Sequence, residues 1–432
     1  MYLKNRLSVE LDPKRKILDR NSNYLIKIET PKDLSVAFRE YSENFYKAAN
    51  SIASFLLETN ESSIAQLDTY FFSLAFLYRH SLELLLKSLA FREIIDKKDR
   101  VAFAKDTFHD LEKILENLLQ QGDLVRPIQE IEWLKAYFKD ISKMDKESDS
   151  FRYPFHIRRD KDQLFGPEYR IERIFEEQTH IDLVKFANKF EAAYEILSLW
   201  YSQKTEMAIE WKDLSPVFIE TGGTYYGQAV VGYRYSRQDF YPYVSAYIET
   251  AGFLRNAMTE AQNKGDNSVA EVYFFPMCYL YRNAIELSLK AAWFEEARED
   301  FQKRCKVLNK KKHSIVGLWN SLRGWIEKFY GNMDDSKSYF DDIRKCCEEL
   351  QGFDSDASRF RYPCDKLMND YFQKITILDY MNIAECMESL IQAIDGIDTE
   401  LNVRNEYLNE VEAEIRSEMA AEYRSEMMSE IW

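Results

Sequence analysis

The chain has 432 residues, 46% of them hydrophobic and 15% aromatic, with only 13 Gly and 9 Pro. Such a length allows two or three ordinary domains, and such a composition excludes a disordered or loop-dominated polymer. A formal net charge of −15 excludes a protein that coats nucleic acid through a diffuse cationic surface, because phosphate neutralisation needs clustered Lys and Arg.

The N-terminal segment MYLKNRLSVELDPKRK is charged throughout and has no apolar core, so no secretory leader is expected. From Asp33 the apolar residues recur every three or four positions, which predicts an amphipathic helix. The most apolar stretch follows at 70–91, interrupted by Arg79, His80, Glu83 and Lys87. Charges in mid-helix predict a buried soluble helix and no membrane association.

This stretch occurs twice. YFFSLAFLYRHSLELLLKSLAF at 70–91 aligns without a gap on YFFPMCYLYRNAIELSLKAAWF at 273–294. Further on, HDLEKIL from His109 faces HSIVGLW from His313, and MDKESDSFRYP at 144–154 faces FDSDASRFRYP at 353–363. Each copy closes on a periodic apolar segment, from Ile181 and from Ile377. The fold class expected is mainly α: two tandem bundle units of four to five helices, at 1–205 and 239–400.

Between the copies, 215–236 holds Gly222 and Gly223 in an alternating pattern and predicts a short β-hairpin within a linker at 206–238. The basic run at 303–313 reads as a solvated loop. All six cysteines (Cys278, Cys305, Cys346, Cys347, Cys364, Cys386) lie in the second half without a C-x-x-C pair. They predict reduced thiols of a cytoplasmic protein, with no metal site and no cofactor. The tail 401–432 predicts a separate acidic amphipathic helix whose stripe of Leu408, Val411, Ile415, Met419, Tyr423, Met427 and Ile431 needs a partner: its own body, a second copy or another protein.

Candidate chemistry lies in three sets of residues. Arg79, Glu83 and Lys87, and their counterparts Arg282, Glu286 and Lys290, stand at i, i+4, i+8 as alternating charges on one side of each core helix. They form either a satisfied ion-pair network or the wall of a ligand-binding cleft. Arg152, Tyr153 and Pro154, with Arg361, Tyr362 and Pro363, put an arginine near a predicted helix start, where it either binds phosphate or pairs with Asp145 and Asp354 seven residues upstream. His109 and His313 each lead an apolar helix and either cap it, orient a carboxylate or act in catalysis.

The E-L-x-L-K core helix, the later H-D-L or H-S-I and the final R-Y-P resemble HEPN domains, the helical bundles of prokaryotic toxin and antiviral systems. The resemblance implies two-fold pairing, here within one chain, and an RNA or nucleotide ligand. Many HEPN domains are metal-independent endoribonucleases that use an arginine followed after four to six residues by histidine. This chain departs from that pattern. Leu84, Leu85 and Leu86 stand where the histidine after Arg79-His80 should fall, and Leu287, Ser288 and Leu289 where the one after Arg282-Asn283 should fall. Arg173 and His180 do have the spacing, but one such match is expected by chance in a chain of this length.

The expectation is therefore an atypical or non-catalytic HEPN-like protein of a bacterial defence system. One alternative is an endoribonuclease acting through Arg152, Tyr153, His109, Arg361, Tyr362 and His313. The other is an adaptor recruited through the C-terminal helix.

Overall fold

The computed structural model describes residues 11–430 apart from 13, 60–61, 121–125, 161–167, 205–209, 233–238, 332–333 and 356; the side chains of 334–336 and 426–430 are outside the description. The chain is mainly α, 67% helical, with short antiparallel strand pairs.

In chain order the first half carries α1 (Leu34–Leu57), α2 (Ile64–Glu93), α3 (Lys97–Thr107), α4 (Leu111–Gln120), α5 (Ile128–Asp145) and α6 (Leu183–Ser202). The second carries α7 (Tyr241–Asn263), α8 (Ser268–Ala291) with a π-helical turn at Ala292–Glu296, α9 (Phe301–Lys311), α10 (Ile315–Tyr330), α11 (Asp334–Phe353) and α12 (Tyr380–Glu430). Among the described residues each half thus has six helices where four or five were expected. The extra pair is α3 and α9, which bury only Phe103 and Thr107, and Cys305 and Leu308, and so leave almost no periodic signature. Their starts are nonetheless encoded: Asp96 and Asp300 accept hydrogen bonds from backbone N–H groups of the first turn. The basic run at 303–313 therefore falls mostly within a helix, α9, instead of a loop.

The two core helices are apolar on nearly every face, so burial on one face alone could not satisfy them. Every residue of α2 from Tyr70 to Phe91, and of α8 from Phe274 to Ala291, is buried. Phe76 stacks on Tyr279, the residue at the matching position of the second copy, with ring centroids 4.6 Å apart. Two further stacks cross between the copies: Phe72 on Tyr243 at 3.9 Å, and Tyr41 on Phe275 at 4.4 Å. Each such aromatic pair adds roughly 0.5–1.5 kcal/mol beyond the area it buries.

Strands tie the halves together in the same reciprocal way. β1 (Leu25–Ile28), which precedes α1, pairs with β6 (Thr376–Asp379), which precedes α12. β5 (Gln228–Val231), which precedes α7, pairs with β4 (Thr179–Asp182), which precedes α6. The hairpin expected within 215–236 is therefore not formed among the described residues. Gly222 and Gly223 do take positive φ, but they turn the chain beside β4, where Thr221 bridges Ile181, so that β5 reaches a strand of the preceding half. Partner supply decides this: β4 offers an open edge that a two-residue hairpin inside the linker would leave unpaired. A hairpin does form elsewhere, between β2 (Phe155–Asp160) and β3 (Glu168–Arg173).

The acidic tail is not a separate helix. α12 runs unbroken for 51 residues, buried along one face as far as Leu401. Glu296 accepts hydrogen bonds from Asn402 and Asn405, and Arg298 pairs with Glu412. Every position from 412 to 425 is exposed, including Ile415, Met419 and Tyr423. No helix among the described residues is long and apolar enough to cross a membrane. Ile394→Ala, at a fully buried position of α12, is expected to cost roughly 2–5 kcal/mol in a denaturant titration. Met419→Ala, on the exposed arm, is expected to stay within about 0.5 kcal/mol of the parent.

Candidate functional site

The repeated sequence motifs meet in two linked clusters. In the first, Glu83 on α2 is fully buried. Its carboxylate accepts from Arg79 Nη1 at 2.7 Å and Lys87 Nζ at 2.7 Å, one helical turn away on either side. His109 Nδ1 lies 3.0 Å from Glu83 Oε1, and the hydroxyl of Tyr362, from the other half of the chain, donates to the same oxygen at 2.8 Å. The second cluster repeats the first: Glu286 accepts from Arg282 at 3.2 Å, Lys290 at 2.8 Å and Tyr153 at 2.8 Å, with His313 Nδ1 at 3.1 Å. Each half thus completes the cluster of the other with its R-Y-P tyrosine.

Local structure explains how the tyrosines arrive. Arg79 Nε pairs with Asp145 at 3.0 Å, and Asp145 also accepts from the backbone N–H of Ser150. In the second copy Arg282 Nε lies 3.9 Å from Asp354, which accepts from the backbone N–H of Arg359. Each aspartate anchors a turn in which one non-glycine residue is left-handed, Ser148 at φ 59° and Ala357 at φ 61°. The carbonyl of that residue accepts from the arginine Nε of the following R-Y-P, 2.6 Å in both copies. A left-handed Ala or Ser is uncommon and costs about 1–2 kcal/mol, so its recurrence at matching positions marks a conformation held by its surroundings.

Several expectations are corrected here. Asp145 and Asp354 pair with Arg79 and Arg282, not with Arg152 and Arg361, because the turn points each aspartate back at the core helix. The R-Y-P motif does not open a helix: Pro154 leads into β2, and Pro363 into an irregular loop, since the extended backbone imposed before proline continues into it. His109 and His313 do not cap the following helices; Asp110 and Ser314 do, accepting from Lys113 N and Gly317 N, which frees the imidazoles for the carboxylates.

Arg152 and Arg361 are 5% and 6% exposed, yet no carboxylate among the described residues lies within ion-pair distance of either. The nearby Asp149 pairs with His156. Arg361 Nη1 is buried without a hydrogen-bond partner. The four carboxylates Glu83, Asp145, Glu286 and Asp354 thus engage the core-helix cations Arg79, Lys87, Arg282 and Lys290. Of the two R-Y-P arginines, Arg152 feels the charge of Asp149 at longer range, and neither forms an ion pair with a carboxylate among the described residues. Both line one cavity of about 440 Å³, together with Lys87, His109, His313 and Tyr362.

The electrostatics follow from burial. Desolvation would raise the carboxyl of Glu83, but Lys87, His109 and Arg79 outweigh it and hold the group well below the usual range; Glu286 is held down in the same way by Lys290, His313 and Arg282. Burial lowers His109 against the pull of Glu83. For His313 the strongest influence is the upward pull of Glu286, yet burial together with Lys290 and Arg152 leaves it lowered. Both imidazoles are thus neutral near pH 7, with Nδ1–H donating to the glutamate and Nε2 carrying the free lone pair. His80 is also lowered by burial, and its Nε2 meets the carbonyl of Arg361 at 3.1 Å, fixing the backbone behind that arginine.

Among the described residues no group of three or more His, Cys, Asp or Glu is placed to hold a metal ion. Comparison with family models, curated proteins and solved structures finds no match for this chain.

Two results are expected from unfolding measurements. Glu83→Gln leaves Lys87 without its carboxylate and Arg79 with Asp145 alone, and should cost ~3–5 kcal/mol, whereas Tyr362→Phe loses one bond to a charged acceptor and should cost ~1.5–3 kcal/mol. In the pH profile, the lowered histidines and glutamates bind protons more readily when unfolded. Stability should therefore fall as pH drops below about 6.5, and more steeply below about 4.5. Glu83→Gln should flatten the lower limb.

Proposed function

We propose that this chain is a HEPN-like protein that binds RNA or a nucleotide in the cleft between its two copies, with the copies pairing inside one chain. The carrying observation is the pair of buried arginines in one cavity, neither in an ion pair with a carboxylate among the described residues. Burying a guanidinium without an ion-paired carboxylate is costly, and an anionic ligand offsets part of that cost. Placement in a prokaryotic defence or toxin system rests on the sequence resemblance.

A second reading, the metal-independent endoribonuclease, is favoured by one specific arrangement: two glutamate-oriented imidazoles on the same cavity as the arginines. In that reaction a neutral imidazole takes the proton of the RNA 2′-hydroxyl, whose oxygen attacks the adjoining phosphorus. The arginines stabilise the charge on the phosphoryl oxygens. The P–O5′ bond breaks, and the departing oxygen takes a proton from the second imidazole, which enters the step as the imidazolium, giving a 2′,3′-cyclic phosphate and a 5′-hydroxyl. The exposed arm of α12 supports the third reading, recruitment of a protein partner.

The test is incubation of the purified chain with RNA in the presence of a chelator. For the nuclease, Arg152→Ala with Arg361→Ala is expected to lower cleavage by roughly 10²–10³-fold or more, and the pH optimum should lie below about 6.5, because one of two lowered imidazoles must be protonated. Cleavage unchanged in the double variant removes these arginines from the mechanism. Binding without cleavage leaves the first reading, and the absence of both overturns it in favour of the adaptor.

A further inference from the structure

The two copies exchange equivalent residues, but the cavity they enclose is one-sided. Near the first cluster, Phe38 and Phe91 meet edge to face at 5.0 Å and line the cavity, with Tyr371 and the exposed Phe108 beside them. Near the second cluster, the matching pair is Phe240 and Phe294, 6.1 Å apart. There Phe155 packs against both, at 5.3 Å and 4.9 Å, and fills the space. By the alignment of the R-Y-P motifs, the residue at the position of Phe155 in the other copy is Cys364, which lines the open cavity. Phe108 likewise faces Lys312 in the alignment; both are left-handed, at φ 48° and 49°, but only the first offers a ring. The half whose aromatic pair is packed by Phe155 thus differs from the half in which Cys364 stands at that position and lines the cavity.

The open half has two distinct ends. One carries Arg152 and Arg361, buried and without an ion pair to a carboxylate among the described residues, with His109 and His313; the other carries the aromatic rings, with Lys105, Asp365 and Lys366 also in the lining. A volume of about 440 Å³ lies within the range of small-ligand sites. A ligand that satisfies both ends has a phosphate joined to a flat ring system, of a size to fill the space once.

We propose that the cavity takes one nucleotide unit per chain, its phosphate on Arg152 and Arg361 and its base against Phe38, Phe108 and Tyr371, and that the Cys364/Phe155 difference confines it to this half. The proposal rests on the anion-binding reading above and adds the base, the stoichiometry and the side. Base-on-ring contact is tolerant of base identity, since every base presents a π face. The unit is either a free nucleotide or one residue of a strand.

Calorimetric titration of the full chain with the four nucleoside monophosphates, a short oligoribonucleotide and inorganic phosphate tests it. The expected result is one site per chain for a nucleotide or the oligonucleotide, at least about tenfold tighter than phosphate. Tighter binding of monophosphates identifies a free nucleotide, and tighter binding of the oligonucleotide identifies a strand. Cys364→Phe, which copies the packing already present in the other half, should reduce nucleotide affinity to the level of phosphate. Phe108→Ala, at an exposed position where folding is not at stake, should weaken it roughly tenfold.

Two sites per chain, equal affinity for phosphate and nucleotide, or full affinity in both variants overturns the base-and-side proposal while the anion-binding reading stands. No binding of phosphate, nucleotide or RNA by the parent chain overturns both.

Discussion

Two buried carboxylates, Glu83 and Glu286, govern the arrangement of everything around them. A glutamate with no exposure is tolerable only if its charge is met from several directions, and one helix supplies two of these, an arginine and a lysine a turn away on either side. The remaining partners must come from elsewhere. A histidine arrives from the loop after the next helix, and a tyrosine hydroxyl from the opposite half of the chain. Because each half provides the tyrosine that the other lacks, neither cluster is complete without both. Duplication and buried charge together make the two halves interdependent, and the crossed strand pairs β1 with β6 and β4 with β5 repeat that exchange at the periphery.

The same demand creates the cavity. The arginine before each tyrosine is carried inward with it, held by its Nε on a left-handed residue's carbonyl, while the aspartate that could have neutralised it is engaged by the core-helix arginine. Positive charge therefore accumulates between the copies in a chain whose overall charge is strongly negative. Net charge is a poor guide to such a site, since it reports the solvated surface and not the few groups that face a ligand.

Divergence between the copies then shapes what duplication built. His80 has Asn283 as its counterpart, Phe76 has Tyr279, and Cys364 has Phe155. The last difference replaces a ring by a much smaller thiol, and in a close-packed interior that missing volume leaves room beside Cys364, which lines the cavity. A nearly symmetric framework can in this way carry an asymmetric cleft.

Much of this was legible in the sequence. The gapless alignment of 70–91 with 273–294 marked both core helices, their apolarity on nearly every face required burial, and the i, i+4, i+8 charges identified the pairs later found around Glu83 and Glu286. The R-Y-P repeat identified the arginines and tyrosines of the cleft, because a motif kept in both copies has a role in both. Other features had no linear signature. Which aspartate pairs with which arginine, the crossing of Tyr153 to Glu286 and Tyr362 to Glu83, and the pairing of β5 with β4 all depend on the direction in which a turn sends a side chain. The linker hairpin and the helix after R-Y-P were misread because local pattern reports propensity, while partner choice is made among all edges and charges the folded chain presents. The sequence by itself determined which residues must be buried and which charges must find partners. Tertiary structure decided which partners they found, because ion pairing and strand pairing act between surfaces that become neighbours only when both halves are folded together.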